Sequence, residues 1–431
     1  MKKLSVLLVC QNYYPFIGGV EVHARQVAHE LAKDHGVEVV AMNFSAPRCR
    51  GRLHVLHGNV LAPSYAGYQD GRVPIHSLTP SPLDRLRMLP IALRVAPRVQ
   101  RWAYHPSNRF GYRFYRAVYQ SRLKRLMERM SADVVHSLAG GYLGWTAQAA
   151  ARELGIPFVC TPFVHPRQWG DGPDDIAFYR RSQAVIGLVS TDAQYLASIG
   201  VEREKLHVIG VSPELPERTD AQGFRQRHGL GGVPIVLYVG RMMPQKGATS
   251  VLAAAPKVWQ ACPQARFVFI GPANQQEAAA FDGADPRIKY LGKVSLQEKA
   301  DALAACDLFC MPSMSEILPT VYLEAWSYGK PVVGGRAHGL PELVEANRAG
   351  MSVSQEPQDV ATALERLLNH DSLRKEMGAR GRELVQSCYA VPAVTAALLS
   401  LYRQVTGDSV RAPMTGPLTE GSPTEAAVAA I

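Results

Sequence analysis

The chain is short of cysteine, modest in charge and without an uninterrupted apolar stretch of membrane-spanning length, and each shortage removes a class of protein. Seven cysteines in 431 residues stand at 10, 49, 160, 262, 306, 310 and 388. Their odd number and scatter argue against a disulfide framework. Cys306 and Cys310 are close in sequence, but no second Cys or His pair accompanies them at zinc-site spacing. Reduced thiols acting as small hydrophobes are expected, and no metal. No apolar run approaches the roughly 20 residues that cross a bilayer. Met1-Lys2-Lys3 followed by Leu4–Cys10 has the outline of a secretory leader. The run is short, however, no small-residue cleavage site follows, and Gln11-Asn12-Tyr13-Tyr14-Pro15 reads as a loop leaving a buried strand. A cytoplasmic location is expected, with the inner membrane face as its outer limit. Several catalytic signatures are missing too: there is no Gly-x-Ser-x-Gly elbow, no Gly-x4-Gly-Lys-Ser/Thr phosphate loop and no His-Glu-x2-His.

What is present is ordinary globular composition, 47% hydrophobic and 19% charged, with a net charge of +10 that favours an anionic partner. The length suits two domains. Leu4–Cys10 reads as a buried strand, Val20 to Lys33 as a helix and Val37–Met42 as the next strand. Further strands are expected at Asp133–Ser137, Pro157–Thr161 and Ala184–Ser190. Residues 45–84, rich in Gly, Pro and His, resist assignment. Ser-Pro-Glu-Leu-Pro-Glu, starting at Ser212, breaks the rhythm. The alternation then restarts: strands at Ile235–Val239, Arg266–Ile270, Ile288–Leu291, Leu308–Met311 and Pro331–Gly334, with a helix over Ala248–Trp259. Buried strands alternating with helices predict an α/β protein of two Rossmann-like, doubly wound parallel-sheet domains facing a central cleft. The expected division is 1–212, 213–388, a returning helix at 389–406 and a disordered tail at 407–431.

The chemistry concentrates in Met311–Glu342, MPSMSEILPTVYLEAWSYGKPVVGGRAHGLPE. Glu316 and Glu324 flank a seven-residue spacer. Pro319 suits a first helical turn, which places Glu316 in the loop before a helix and Glu324 inside it. The two carboxylates then reach different parts of one ligand lying across the helix N-terminus, itself an anion site. A second element is Tyr238-Val239-Gly240-Arg241 with Lys246-Gly247. Fixed cations there suit a diphosphate leaving group, whose charge grows as its bond breaks. A third is Gly18-Gly19-Val20-Glu21 with His23, paired glycines opening a helix after the first strand. Paired carboxylates alone also fit a glycosidase, but that chemistry needs no Arg/Lys phosphate clamp.

Together these segments resemble the family 4 glycosyltransferases, which carry an E-x7-E motif, a Gly-x-Pro-Val-Val strand (Gly329, Pro331, Val332, Val333 here) and a Gly-x-Pro-Glu turn (Gly339-Leu340-Pro341-Glu342). The resemblance implies the GT-B fold and a retaining, metal-independent hexosyl transfer from a nucleotide-diphosphate sugar, with no further cofactor. It further implies Arg241 and Lys246 on the diphosphate, Glu316 on the donor sugar and Glu324 on the ribose. The family's common Gly-Phe-Gly after the first glutamate is Ile317-Leu318-Pro319 here; Pro319 has no N–H, so Thr320 and Val321 would supply the backbone contacts. Gly18 and Gly19 would face the donor phosphates. His165, just beyond a strand end, matches the family's cleft histidine. His136 and His23 would be acceptor-side or supporting groups, and His338 would touch phosphate or solvent. A nucleotide-sugar epimerase of the same architecture, or a non-catalytic nucleotide-sugar-binding protein, are the alternatives.

Residues 85 to 130 are a separate feature. Twelve basic residues stand there against Asp84 and Glu128 at the edges, interleaved with Trp102, Tyr104, Phe110, Tyr112, Phe114, Tyr115 and Tyr119. A solvated helical face, or contact with an anionic membrane or a lipid-diphosphate-linked or glycan acceptor, would each explain them. Nucleic acid is not expected, since no binding module accompanies the charge.

Overall fold

The computed structural model describes residues 2–15, 18–42, 66–78, 80–93 and 109–407. The tail beyond 407, most of the unassigned middle, and Trp102 and Tyr104 lie outside the described residues.

The strands, in chain order, are β1 (Ser5–Cys10), β2 (Gly36–Ala41), β3 (Tyr68–Asp70), β4 (Val73–Ser77), β5 (Val134–Leu138), β6 (Phe158–Thr161), β7 (Ala184–Gly187), β8 (Leu206–Val208), β9 (Ile235–Val239), β10 (Arg266–Ile270), β11 (Ile288–Tyr290), β12 (Leu308–Met311), β13 (Val332–Gly334) and β14 (Gly350–Ser352). They form two sheets. The first runs β3-β4-β2-β1-β5-β6-β7-β8 and the second β11-β10-β9-β12-β13-β14. Every pairing is parallel except β3 with β4. Continuous apolar runs such as Ile235–Val239 are buried on both faces, as parallel strands must be when helices cover both sides. The β3–β4 hairpin and the short edge strands β8 and β14 have no counterpart in the sequence reading. They are short and carry polar or turn residues, so periodicity does not mark them.

Chain order reverses between β1 and β5 in the first sheet and between β9 and β12 in the second. Ligands of open α/β sheets bind outside the carboxyl ends of strands at such reversals. Those ends here carry Gly18-Gly19 and Gly140-Gly141 on one side, and Arg241 and Ser313–Glu316 on the other.

The helices Asp371–Leu384 and Val391–Thr406, joined by a π-helical turn, make a 36-residue stretch long and apolar enough to cross a membrane by length and composition. The sequence reading had found no run of that kind. In the fold Val394, Leu398, Leu401 and Tyr402 of its last helix are buried. That helix packs on the Gly19–Leu31 helix of the first sheet, and the Tyr402 hydroxyl lies 2.7 Å from His136 Nδ1 on β5.

Among the described residues the basic segment lies on two helices, Pro82–Leu93 and Arg109–Arg129; Arg94, Arg98 and Arg101 lie outside the described residues. Among the described residues five of its basic side chains have acidic partners: Arg87 and Arg122 meet Asp84, Arg116 and Lys124 meet Glu153, and Arg129 meets Glu38. The Pro82–Leu93 helix turns Asp84 and Met88 inward and leaves Leu83, Leu86 and Leu89 exposed at 54%, 61% and 41%. Its outward face is therefore leucine-rich, which the count of basic residues had hidden.

Candidate active site

β9 ends at Gly240-Arg241. A short 3-10 turn, Pro244–Lys246, then leads into the Ala248–Ala261 helix through Gly247. Gly247 has φ of 80°, and a Cβ there would stand 2.7 Å from Pro312 Cγ and 2.8 Å from its carbonyl oxygen. Only glycine allows that close approach, which presses the Lys246 turn against the loop after β12. Across this contact Lys246 Nζ lies 2.5 Å from Glu316 Oε1 and donates to the Ser315 carbonyl at 2.7 Å. Both side chains are largely shielded, so the ion pair gains more than a surface pair would. Arg241 is exposed, and its carbonyl accepts the Tyr238 hydroxyl at 2.9 Å.

Loop 312–319 feeds the Thr320–Ser327 helix. Pro319 is its N-cap, one residue outside the first turn where the sequence reading had placed it. Thr320 and Val321 are the first two helical residues, so their N–H groups have no intrahelical acceptor. Glu324, a full turn on, is 4% exposed. Burial raises its pKa above the ordinary carboxylate range, and the Lys299 ammonium, 2.7 Å from Oε2, opposes that rise. Glu316 and Glu324 thus have different partners, one at each end of the loop-to-helix junction.

On the first-sheet side, Gly18 is the N-cap of the Gly19–Leu31 helix, and a Cβ on Gly19 would meet only open space. His165 sits in a tight reverse loop after β6, paired backbone to backbone with Trp169 and with the two rings 4.8 Å apart. Burial lowers its pKa, and the Lys246 cation lowers it further. The structure therefore brings His165 into the electrostatic reach of Lys246, which is 81 residues away in sequence.

His136 and His23 do not reach solvent. His136 is 1% exposed and lies between the Tyr402 hydroxyl and Thr161 Oγ1, at 2.7 and 2.8 Å. Burial, with a contribution from His23, lowers its pKa to about 3. His23 is 3% exposed, and burial lowers its pKa to about 4. Both are neutral interior groups, and His136 ties β5 to the returning helix.

Glu342, the end of the Gly-x-Pro-Glu turn, crosses to the other sheet's helices. Its carboxylate accepts from the N–H groups of Ser190 and Thr191 at 3.0 and 2.8 Å and from the Thr191 hydroxyl. It caps the Ser190–Ser198 helix, whose own N-cap, Val189, has no side-chain acceptor. His338 Nε2 lies 3.8 Å from Asp192, whose pKa burial pushes up to about 7. His338 thus faces the first-sheet helix Ser190–Ser198. Sequence reasoning missed the cap and Lys299; a cap supplied from 151 residues away leaves no local spacing to read.

Comparison with known proteins bears on the family and the fold. The family description "Glycosyl transferases group 1" matches residues 233–370, and "Glycosyl transferase 4-like domain" matches residues 18–212. A GDP-mannose-dependent alpha-(1-6)-phosphatidylinositol monomannoside mannosyltransferase of Mycobacterium tuberculosis is 27% identical over 416 residues, covering 92% of this chain and 98% of its own. A sulfoquinovosyl transferase of Arabidopsis thaliana is 29% identical over 280 residues, 59% of this chain and 53% of its own. Among solved structures, Anabaena HepE in complex with UDP superposes with a TM-score of 0.66 at 17% identity, covering 93% of this chain and all of that one. Sucrose-phosphate synthase of Thermosynechococcus elongatus gives 0.67 at 18% identity, covering 94% and 100%. The chain belongs to the family 4 glycosyltransferases, the glycosyl transferases group 1, and has the GT-B architecture.

Proposed function

We propose that this enzyme moves a hexose from a nucleotide-diphosphate sugar to a lipid-linked or glycan acceptor, with retention at the anomeric carbon and without a metal ion. The observation that carries the reading is the shielded Lys246–Glu316 pair at the β9/β12 reversal, beside the exposed Arg241. A cation and a carboxylate held 2.5 Å apart suit neighbouring parts of one donor, the diphosphate and the sugar hydroxyls. Arg241 and Lys246 take the diphosphate, Glu316 the sugar and Glu324 the ribose. The Thr320 and Val321 N–H groups face the phosphates, and Gly18 and Gly19 let the first domain approach them closely. Residues 1–212 form the acceptor domain and 213–388 the donor domain, with 389–406 returning to the first.

In the transfer, the bond from the anomeric carbon to the terminal phosphate oxygen breaks as the bond to the acceptor oxygen forms on the same face. The acceptor proton passes to the departing phosphate, so no side chain is required as base. The two cations stabilise charge that grows only in the transition state. His165, held neutral by burial and Lys246, orients groups by hydrogen bonding.

GDP-mannose is the donor to try first, and a phosphatidylinositol-type glycolipid the acceptor, since the Mycobacterium tuberculosis relative is named for both. The exposed leucines of the Pro82–Leu93 helix, with Arg87 beside them, suit contact with an anionic membrane surface and support a location at its inner face. The test is transfer from GDP-mannose and UDP-glucose to such acceptors in vesicles, with product configuration read by NMR. An α-linked product formed equally in excess chelator is expected. An inverted product, or sugar conversion without acceptor, would overturn the reading.

A further inference from the structure

Lys299 takes no part in the transfer described above, yet its ammonium faces Glu324, the one carboxylate of the helix Thr320–Ser327. It projects from the Leu296–Ala305 helix, whose start is fixed by Ser295 accepting from the Glu298 N–H at 3.1 Å. The Lys299 and Glu324 side chains are 24% and 5% exposed. Nζ stands 2.7 Å from Oε2, the oxygen that is closed off from solvent. The carboxylate is charge-balanced through Oε2, while Oε1 accepts no hydrogen bond among the described residues.

The other ionisable groups acting on Glu324 and its neighbour Tyr328 are Glu214, from the connection between the two sheets, and Asp301. Asp301 is committed elsewhere, to Arg227, Gln297 and the Asp220 N–H. Among the described residues, Lys299 is the cation acting on Glu324. Such a pair adds little to stability by itself, because taking the Glu324 carboxylate out of water costs about as much as a partly exposed lysine returns. Keeping both is explained if a ligand uses the unfilled carboxylate.

We propose that Lys299 is a positioning residue of the donor site: it holds the Glu324 carboxylate in one orientation, charge-balanced and with free lone pairs, for the vicinal hydroxyls of the nucleotide's ribose. The inference rests on the reading that Glu324 meets the ribose. Lys299 does not touch the reacting atoms, so its effect is on nucleotide affinity and its pH dependence.

The experiment compares calorimetric binding of GDP with that of 2′,3′-dideoxy-GDP, at pH 6 and pH 8.5, in the full chain. Lys299→Met is expected to weaken GDP about 10- to 100-fold at pH 6, the range for a hydrogen bond to a charged group, and to leave the dideoxy analogue unchanged. Burial already raises the Glu324 pKa, and removing the opposing cation raises it further. The carboxylate then takes up a proton as pH falls through that value and releases it above, so the loss narrows at pH 8.5. Lys299→Arg should restore wild-type affinity. An equal loss for both ligands, or a loss independent of pH, would overturn the proposal. Should Lys299→Met not fold, Lys299→Gln replaces it, with a loss again expected for GDP alone and larger at pH 6, and with the same two outcomes overturning the proposal. If Glu324→Gln alone keeps the wild-type preference for GDP, the ribose reading of Glu324 fails, and the proposal falls with it.

Discussion

Lys246→Met is expected to lower kcat about 10²- to 10³-fold, the range for removing one fixed charge aimed at a developing anion, while substrate KM changes far less. The Lys246 side chain is 17% exposed and its Nζ is held by Glu316 and the Ser315 carbonyl, so its position is set before any donor arrives. Charge on the departing diphosphate grows along the reaction, and a preset cation therefore acts more on the transition state than on the ground state. The substitution has a second consequence. Glu316 loses its counter-ion and stands as an uncompensated carboxylate beside the incoming diphosphate, which opposes binding of the same charge sign. Glu316→Gln should also lower kcat, since an amide orients sugar hydroxyls less well than a carboxylate, but with a smaller loss. Steady-state kinetics with purified variants checks this. A Lys246→Met enzyme with wild-type kcat and only a raised KM would remove Lys246 from the leaving-group role.

Replacing Leu83, Leu86 and Leu89 together by Ser is expected to cut partitioning onto anionic vesicles by about 10²-fold or more. Each leucine side chain contributes about 1.5–3 kcal/mol when fully withdrawn from water, and partial insertion at an interface retains some of that. The fold should survive, because Asp84 and Met88, on the opposite side of the helix, make its contacts with the body. Arg87→Glu should have a smaller effect that vanishes at high salt, as expected for a charge at a screened surface. Vesicle co-sedimentation separates the two contributions. Full binding by the triple-serine variant would show that the leucine face is not the membrane contact. Activity on a water-soluble acceptor should be unchanged in either variant, since neither alters the donor site.

Much of the fold was legible because parallel strands buried on both faces are unbroken apolar words. β9 and β12 begin and end where their apolar runs do, and β10 adds only Arg266 at its start. The β3–β4 hairpin was not, since Tyr-Gln-Asp and Val-Pro-Ile-His-Ser owe their strand geometry to pairing and not to pattern. Lys246 and Glu316 were legible through their neighbours, a strand end, a glycine and a helix start. Their mutual contact was not, because 70 residues separate them. His136 was read as an acceptor-side or supporting group; its ring turns inward to a tyrosine 266 residues on, a contact that only the folded chain supplies. The Pro82–Leu93 helix was legible only in part: counting arginines finds charge, but not that Asp84 pairs with Arg87 and Arg122, nor that Leu83, Leu86 and Leu89 face solvent. Glu342 and Lys299 belong with the long-range contacts: the residues were visible, and only the folded chain supplies their partners.

The most direct test of a nucleotide-sugar donor site is calorimetric titration of wild type and Glu324→Ala with GDP, UDP and ADP. One nucleotide should bind selectively at millimolar affinity or better, and the substitution should weaken it by ~1–3 kcal/mol, the cost of a lost hydrogen bond to a charged group. Binding of none of the three, or equal binding by Glu324→Ala, would contradict the account.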